Sequence, residues 1–154
     1  MPSDLWSFTL DFYAMPGVEQ ACLTLQAGGA NVCALLCGVW LGKRGIPCTE
    51  QRLGEVRQKA GPWHDDVVRP LRELRVQWKA AAAQNAALAA LRERVKALEL
   101  DAERQLLTDL QALTVSWPIT DERSVREWLV ELAGDAGSDN RDALQVLRAA
   151  AERL

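Results

Sequence analysis

The chain has 154 residues, of which 49% are hydrophobic and 25% are charged, and its formal net charge is −3. This is the composition of an ordinary soluble globular protein, and a chain of this length can bury about two thirds of its unfolded surface. The start at Met1 lacks the basic segment of a signal peptide, and the longest apolar run is well short of the roughly 20 residues that span a bilayer. We therefore expect neither secretion nor membrane insertion.

The charges are unevenly distributed along the sequence. Residues 1–42 contain three acidic and no basic side chains, residues 43–79 carry a surplus of +4, and residues 80–154 carry −4. A locally basic segment in an acidic protein can bind an anionic partner, although such an excess is usually a solvated face.

Three short helices are predicted in the first 44 residues. Ser3 can cap the first helix, and Met15-Pro16-Gly17 ends it and begins a second with proline in its first turn. Gly28-Gly29 ends the second helix. Asn31 can cap a third, for which residues 30–44 are apolar on almost every side. Because a helix that is hydrophobic all round is a buried one, this third helix is predicted to lie at the centre of the fold.

The next two helices are predicted on either side of a proline. Thr49 caps a short helix that ends at Gly61-Pro62. From Trp63 onward, apolar residues recur every three or four positions, which indicates an amphipathic helix. A proline inside a helix removes a hydrogen bond and costs about 3 kcal/mol. We therefore place Pro70 in a first turn, with Asp65 or Asp66 near the positive end of the helix dipole.

The remaining pattern predicts a hairpin and two further helices. An unbroken helix from residue 70 to residue 113 would be roughly 65 Å long, which exceeds a compact domain of this size. We therefore expect a break near residues 84–86, and a return helix whose apolar stripe packs antiparallel on the previous one. Ser124-Val125-Arg126-Glu127 has the form of a capping box, and that helix lasts until Gly134 and Gly137. A last helix begins at about Asn140.

Together these elements predict a single all-α domain over residues 1–154, built as a compact bundle of about six or seven helices. Its core spans residues 3–113, with the buried helix 30–44 at the centre and a long αα-hairpin, residues 63–113, packed across it. The C-terminal helices occupy residues 120–154.

A basic helix face is the first candidate site. Four basic residues recur at spacings of three, three and four, which places them along one side of a helix: Arg69, Arg72, Arg75 and Lys79. We name this set the basic stripe. It can contact an acidic protein, or the phosphates of RNA, through salt-sensitive ion pairs. A solvated face is the plain alternative, since Glu73 interrupts the stripe, and no DNA-binding motif is present.

The second candidate is a pocket near four consecutive residues: Trp63, His64, Asp65 and Asp66. A carboxylate beside the only histidine can tune the histidine pKa toward neutrality, which would suit a small-molecule enzyme or binding protein. No recognised motif ties a serine or cysteine nucleophile to this cluster. Acidic residues also favour a helix N-terminus, and the DDxxD pattern of helical prenyl-diphosphate enzymes is incomplete, so the simpler interpretation is a helix start.

The four cysteines allow a metal hypothesis. Cys33 and Cys37 are neighbours on one helical face, and with Cys22 or Cys48 and His64 they can in principle complete a tetrahedral set. Their spacing is not the two-residue knuckle of zinc ribbons, and free cysteine in an apolar helix packs as a small hydrophobe. We therefore predict no metal, no cofactor and no catalytic residue. Without an export signal, the thiols are expected to stay reduced in a cytosol.

A resemblance to a known family is carried by the opening block and by a few later positions. These are Leu5-Trp6-x-Phe8, Tyr13-x-x-Pro16-Gly17-Val18, Leu25-Gln26, Asn31-Val32, Trp40-Leu41-Gly42 and Val68-x-Pro70-Leu71-Arg72. Over roughly residues 5–113 the chain resembles small uncharacterised proteobacterial proteins classed as a domain of unknown function. The usual Asn-Leu of that family is Cys33-Ala34 here, which weakens the idea of a polar function at this point.

That resemblance implies a proteobacterial cytosolic origin and no established activity. The sequence thus favours a non-catalytic cytosolic interaction or regulatory protein that uses the basic stripe to bind an acidic protein or RNA. The alternative is a small-molecule enzyme or binding protein with its pocket near Trp63–Asp66.

Overall fold

A computed structural model describes residues 4–154, and within that range the secondary structure is helical, with no strand. This confirms the predicted all-α class. The α-helices in chain order are α1 Leu5–Tyr13, α2 Val18–Ala27, α3 Val32–Lys43, α4 Glu50–Trp63, α5 Arg69–Gln77, α6 Lys79–Ala82, α7 Ala86–Thr114, α8 Val125–Asp139 and α9 Arg141–Arg153. A π-helical turn, His64–Val68, joins α4 to α5.

The caps of the first three helices differ from the predictions in two places. The predicted Ser3 cap lies outside the described residues, and within them Asp4 caps α1 by accepting a hydrogen bond from the Ser7 N–H at 2.8 Å. Pro16 lies ahead of α2 rather than in its first turn, because Gly17, with φ of 83°, makes the turn into that helix. Asn31 caps α3 as predicted.

The central position of α3 is confirmed. Every residue from Val32 to Gly42 is buried, and α8 packs along this helix. Gly42 makes the close approach possible, since a Cβ there would lie 2.6 Å from the backbone of Val125. The Trp128 indole and the Ser124 hydroxyl both donate to the carbonyl oxygen of Ile46, at 2.9 and 3.1 Å, which fixes the start of α8 against the end of α3.

The predicted helix end at Gly61-Pro62 is wrong. Thr49 caps α4 as predicted, but α4, the π-helical turn and α5 follow one another with helical dihedral angles at the junctions. The Arg69 N–H donates to the carbonyl oxygen of His64, five residues back, as in a π-helix. This wider turn accommodates Pro70, whose ring would clash with a carbonyl four residues back in a regular α-helix.

The same continuity corrects the placement of the acidic pair. Pro70 does occupy the first turn of α5, yet that turn is not a free helix N-terminus. Asp65 and Asp66 therefore lie in the middle of a long helical rod, within the π-helical turn, and not at a helix start.

The predicted break near residues 84–86 is confirmed. Asn85 caps α7 by accepting a hydrogen bond from the Leu88 N–H at 3.1 Å, and α7 then runs for 29 residues. The C-terminal half of α7 enters the core, where Leu106, Leu107 and Leu110 are buried.

The C-terminal helices complete the core. Ser124 precedes α8, but the predicted capping box is wrong, because its hydroxyl donates to Ile46 and makes no cap hydrogen bond to α8. Gly134, with φ of 53°, kinks α8, and α9 follows from Arg141 and packs on α2.

Candidate functional site: the hairpin arm

Residues 69–98 form a projecting arm that is built from α5, α6 and the first half of α7. None of these residues is buried, whereas Val68 before them and Glu99 after them are. In the described chain, α5 and α6 pack mainly on α7 and on the π-helical turn beside them. The thirteen residues 86–98 of α7 form a helical segment about 20 Å long at 1.5 Å per residue. We call residues 69–98 the arm and the other helices the body.

The arm has the opposite charge from the rest of the protein. It contains seven basic and two acidic side chains, a net charge of +5, which leaves −8 for the rest of a chain whose total is −3. The field around the arm therefore favours a negatively charged partner.

Two members of the basic stripe are used inside the molecule. Arg72 Nε lies 3.2 Å from Glu99 Oε2, and Arg75 Nε lies 2.5 Å from Glu99 Oε1. The Glu99 side chain is only 7% exposed. An unpaired buried carboxylate is strongly unfavourable, and the two arginines supply its ion pairs. The hydrogen bonds that Arg75 donates to Glu99 raise the pKa of Arg75.

Arg72, Arg75 and Glu99 form the joint between the arm and the body, and neighbouring contacts complete it. Arg92 Nε donates to the carbonyl oxygen of Arg75 at 2.8 Å, which ties α7 to α5. One turn beyond Glu99, burial raises the pKa of the Glu103 carboxyl, and the charge of Glu99 raises it further. Burial also raises the pKa of Tyr13, to about 12. The ionisable groups at the base of the arm thus serve packing and pairing between helices.

The other two members of the basic stripe face solvent. Arg69 is exposed and pairs with Asp65 one helical turn earlier, an exposed pair that contributes little stability. Lys79 is exposed at the start of α6 and forms no ion pair among residues 4–154. The structure thus places all four predicted residues on one arm, with two directed into the joint and two toward solvent.

The arm also carries an apolar groove, which sequence reasoning missed. It has a volume of about 560 Å³, and its main lining residues are Trp78, Leu91, Val95 and Leu98, with Arg94 and Asp101 among the polar ones. Leu91 and Leu98 are 47% and 53% exposed. These residues belong to the apolar stripe of α7 that was predicted to pack on the preceding helix, and the stripe is only partly covered at Leu91 and Leu98. A separation of seven residues places them on one face, but it does not show what covers that face.

The alternative pocket is only partly assembled. Trp63 lines a shallow concavity of about 520 Å³ together with Pro62 and Leu113, and its indole N–H donates to the carbonyl oxygen of Ala102 at 2.9 Å. His64, Asp65 and Asp66 are not among its lining residues. The His64 Nδ1 lies 3.2 Å from Asp65 Oδ1, and both aspartates are exposed. The carboxylates do not converge on a common cavity.

The cysteines are free thiols with limited access to solvent. Cys22, Cys33 and Cys37 are buried and Cys48 is half-buried. Burial raises the thiol pKa to about 12 for Cys22 and Cys37 and to about 11 for Cys48. Among residues 4–154 no three His, Cys, Asp or Glu side chains are grouped so that they could hold a metal ion. These thiols act as small apolar groups of the core.

The fold and the arm define a small all-α protein with a projecting basic hairpin. A family model described as "Protein of unknown function (DUF2390)" matches residues 4–110, and the chain belongs to this family. The match includes α1 to α5, the whole arm and most of α7, and it ends before α8. No curated protein and no solved structure matches the chain. Among the described helices, none is both long enough and apolar enough to cross a membrane.

Proposed function

We propose that this protein is a non-catalytic interaction protein whose arm binds an acidic, amphipathic segment of another protein. The observation that carries the proposal is the arm itself: thirty consecutive residues, none of them buried, with a net charge of +5 and an apolar groove whose lining includes Arg94. An exposed apolar patch rimmed by polar residues is typical of a protein-binding surface.

The composition of the groove favours a protein segment over RNA. Phosphate contacts need cations, and single-stranded bases also need exposed aromatic or planar stacking surfaces. The groove offers the side chains of Leu91, Val95 and Leu98 with one half-buried tryptophan, Trp78. Aliphatic side chains at helical spacing instead match the apolar face of a partner helix.

Charge disfavours pairing of two arms in a homodimer. Two arms of +5 would repel each other, and like-charge contact across an interface opposes association. A partner segment with acidic residues flanking an apolar stripe satisfies both features of the arm at once.

The members of the basic stripe have different roles in this proposal. Arg69 and Lys79, with Arg94 beside the groove, contact the acidic side chains of the partner. Arg72 and Arg75 remain on Glu99 and hold α5 at the angle to α7 that forms the groove. Reversing the charge of Arg72 or Arg75 would therefore disturb the arm itself, so the test uses Lys79 and Arg94.

The test is site-specific photo-crosslinking in a cell extract. A photoreactive side chain replaces Leu91 in the groove or, as a control, Leu10, which is 53% exposed on α1. We expect position 91 alone to link to an acidic amphipathic protein segment, identified by mass spectrometry. The link should be lost at high salt and in the Lys79→Glu/Arg94→Glu variant, but kept in Lys59→Glu/Arg153→Glu, which reverses two exposed charges on the body.

Three results would overturn this proposal. Crosslinks to RNA would replace the protein partner by a nucleic acid. Crosslinks to a second copy of the chain would indicate self-association. Identical crosslinks from positions 91 and 10 would show that the arm has no selectivity.

We also propose that the protein acts in the cytosol of a proteobacterium, as the family resemblance of its opening motif implies. Four free thiols, three of them buried, support a reducing compartment.

A further inference from the structure

A second cationic site lies on the body, on surface that the arm does not include. A cleft of about 510 Å³ opens between the C-terminal end of α3, the start of α8 and the last turns of α9. Its lining includes four basic side chains that come from three separate parts of the chain: Lys43, Arg123, Arg126 and Arg148. These four cations lie together although the residues outside the arm have a net charge of −8.

These cations are not neutralised within the molecule, in contrast to Arg72 and Arg75. Among residues 4–154 none of the four forms an ion pair with a carboxylate. Lys43 Nζ donates to the carbonyl oxygen of Ala151 at 2.7 Å, which holds the ammonium group at the cleft. Two acidic residues, Glu127 and Glu152, also line the cleft, so its lining keeps a charge of +2.

The framework around the cleft is fixed by contacts on its α3 side. Thr120 donates to the carbonyl oxygen of Gly45 through its N–H at 2.7 Å and through its hydroxyl at 2.8 Å. The backbone of Gly42 approaches that of Val125 so closely that a Cβ has no room. The segment that carries Arg123 and Arg126 is therefore held against the end of α3. A site positioned in this way loses little entropy when it binds a ligand.

The cleft continues into a trough of mixed polarity. A neighbouring concavity of about 480 Å³ shares Arg126 and Arg148 and is lined further by Leu129, Val130 and Leu144, with Arg141 at its edge. The combined surface thus has a cationic end and a trough in which aliphatic side chains lie beside arginines. Guanidinium groups bind phosphate oxygens with paired hydrogen bonds, and leucine side chains accept an apolar organic group.

We propose that this cleft binds a phosphate monoester whose organic part is apolar or aromatic. The phosphate lies among Lys43, Arg123, Arg126 and Arg148, and the organic group extends along α8 toward Val130 and Leu144. The site is separate from the arm, so occupancy of one does not require the other.

The test is a titration of the full chain with inorganic phosphate and with phenyl phosphate, in which NMR measures the chemical shifts of the backbone amides. We expect saturable shifts in residues 123–130 and 144–148, with a Kd for phenyl phosphate below about 1 mM. Phenyl phosphate should bind more tightly than inorganic phosphate, since only the ester reaches the trough. Affinity should fall as salt is raised.

Variants separate specific binding from general attraction to cations. Arg126 and Arg148 are exposed, so Arg126→Gln/Arg148→Gln should leave the fold intact and weaken phenyl phosphate binding by about tenfold or more. The control Lys59→Gln/Lys96→Gln removes two exposed cations that line neither concavity, and it should leave the affinity within about twofold. Vesicles that contain phosphatidic acid distinguish a lipid headgroup from a free ester. If the ligand is a lipid headgroup, the wild-type chain binds these vesicles and the double variant does not.

Absence of saturable shifts with both phosphate probes would overturn the proposal. Equal binding by the wild-type chain and Arg126→Gln/Arg148→Gln would overturn it as well, and so would an equal loss in Lys59→Gln/Lys96→Gln, because the four cations would then not define the site.

Discussion

The two halves of α7 both carry leucines at helical spacing, but the surroundings of these leucines differ. Leu106, Leu107 and Leu110 in the C-terminal half are at most 2% exposed in the body, whereas Leu91 and Leu98 in the N-terminal half are about half exposed on the arm. Leucine at helical spacing indicates an apolar face, but the neighbouring helices decide whether that face is covered. The body therefore carries the folding stability, and the arm displays a surface.

Replacing a tryptophan in each region is expected to give the largest difference. Trp128 is fully buried and donates to the carbonyl oxygen of Ile46, so Trp128→Ala should lower the free energy of unfolding by about 3–5 kcal/mol. Trp78 is half-buried on the arm, and Trp78→Ala should lower it by no more than about 1 kcal/mol. Urea denaturation measures both values. Similar losses would mean that the arm belongs to the core.

A pair of glycines tests the close contact of α3 with α8. Gly42→Ala places a Cβ 2.6 Å from the backbone of Val125 and should destabilise the protein by about 2 kcal/mol. Gly54, within α4, has open space around its Cβ position, so Gly54→Ala should stabilise the protein by about 0.5–1 kcal/mol. Thermal unfolding of the two variants should therefore shift in opposite directions. A neutral Gly42→Ala would show that the two helices separate easily.

The next effect concerns the joint between the two regions. Glu99→Gln leaves Arg72 and Arg75 without their carboxylate, and we expect a loss of about 1–2 kcal/mol, since both arginines keep partial contact with water. Glu93→Gln, an exposed change on the same helix, is the control and should have almost no effect. Hydrogen exchange should accelerate in the arm more than in the body of the Glu99 variant. Uniform acceleration would argue against a local joint.

The smallest expected effect is a pH dependence at the base of the arm. Burial raises the pKa of Glu103 in the folded state, so the folded protein favours the protonated carboxyl group. This contribution to folding stability is fully present below the unfolded pKa and is lost as pH rises through the folded pKa. Glu103→Gln should therefore stabilise the protein at pH 7, by a few degrees in Tm, and this gain should vanish at acidic pH. A gain of the same size at both pH values would indicate that ionisation is not its cause.

The sequence predicted the body better than the arm. The all-round apolar character of residues 30–44 identified the buried helix, and Asn31, Thr49 and Asn85 marked helix starts because an Asn or Thr cap is a local signal. The π-helical turn was not predicted, because Pro62 and Pro70 have the local pattern of helix breakers. The sequence alone did not indicate the wider turn that accommodates Pro70 within a helix.

The candidate sites were harder to predict because they depend on tertiary contacts. Spacing placed the basic stripe on one helix face. It did not indicate that Glu99, 24 residues after Arg75, would form ion pairs with two of the four basic residues in the stripe. The cleft on the body was missed entirely, since Lys43, Arg126 and Arg148 are far apart in the chain. The one local signal was the pair Arg141 and Arg148, seven residues apart on one face of α9.

A matched leucine pair on α7 tests the division between body and arm most directly. Leu106→Ala removes a fully buried side chain and should lower the free energy of unfolding by about 3 kcal/mol, while Leu98→Ala should change it by less than about 0.5 kcal/mol. Equal losses from the two variants would contradict the claim that the arm is a displayed surface and would make it part of the folding core.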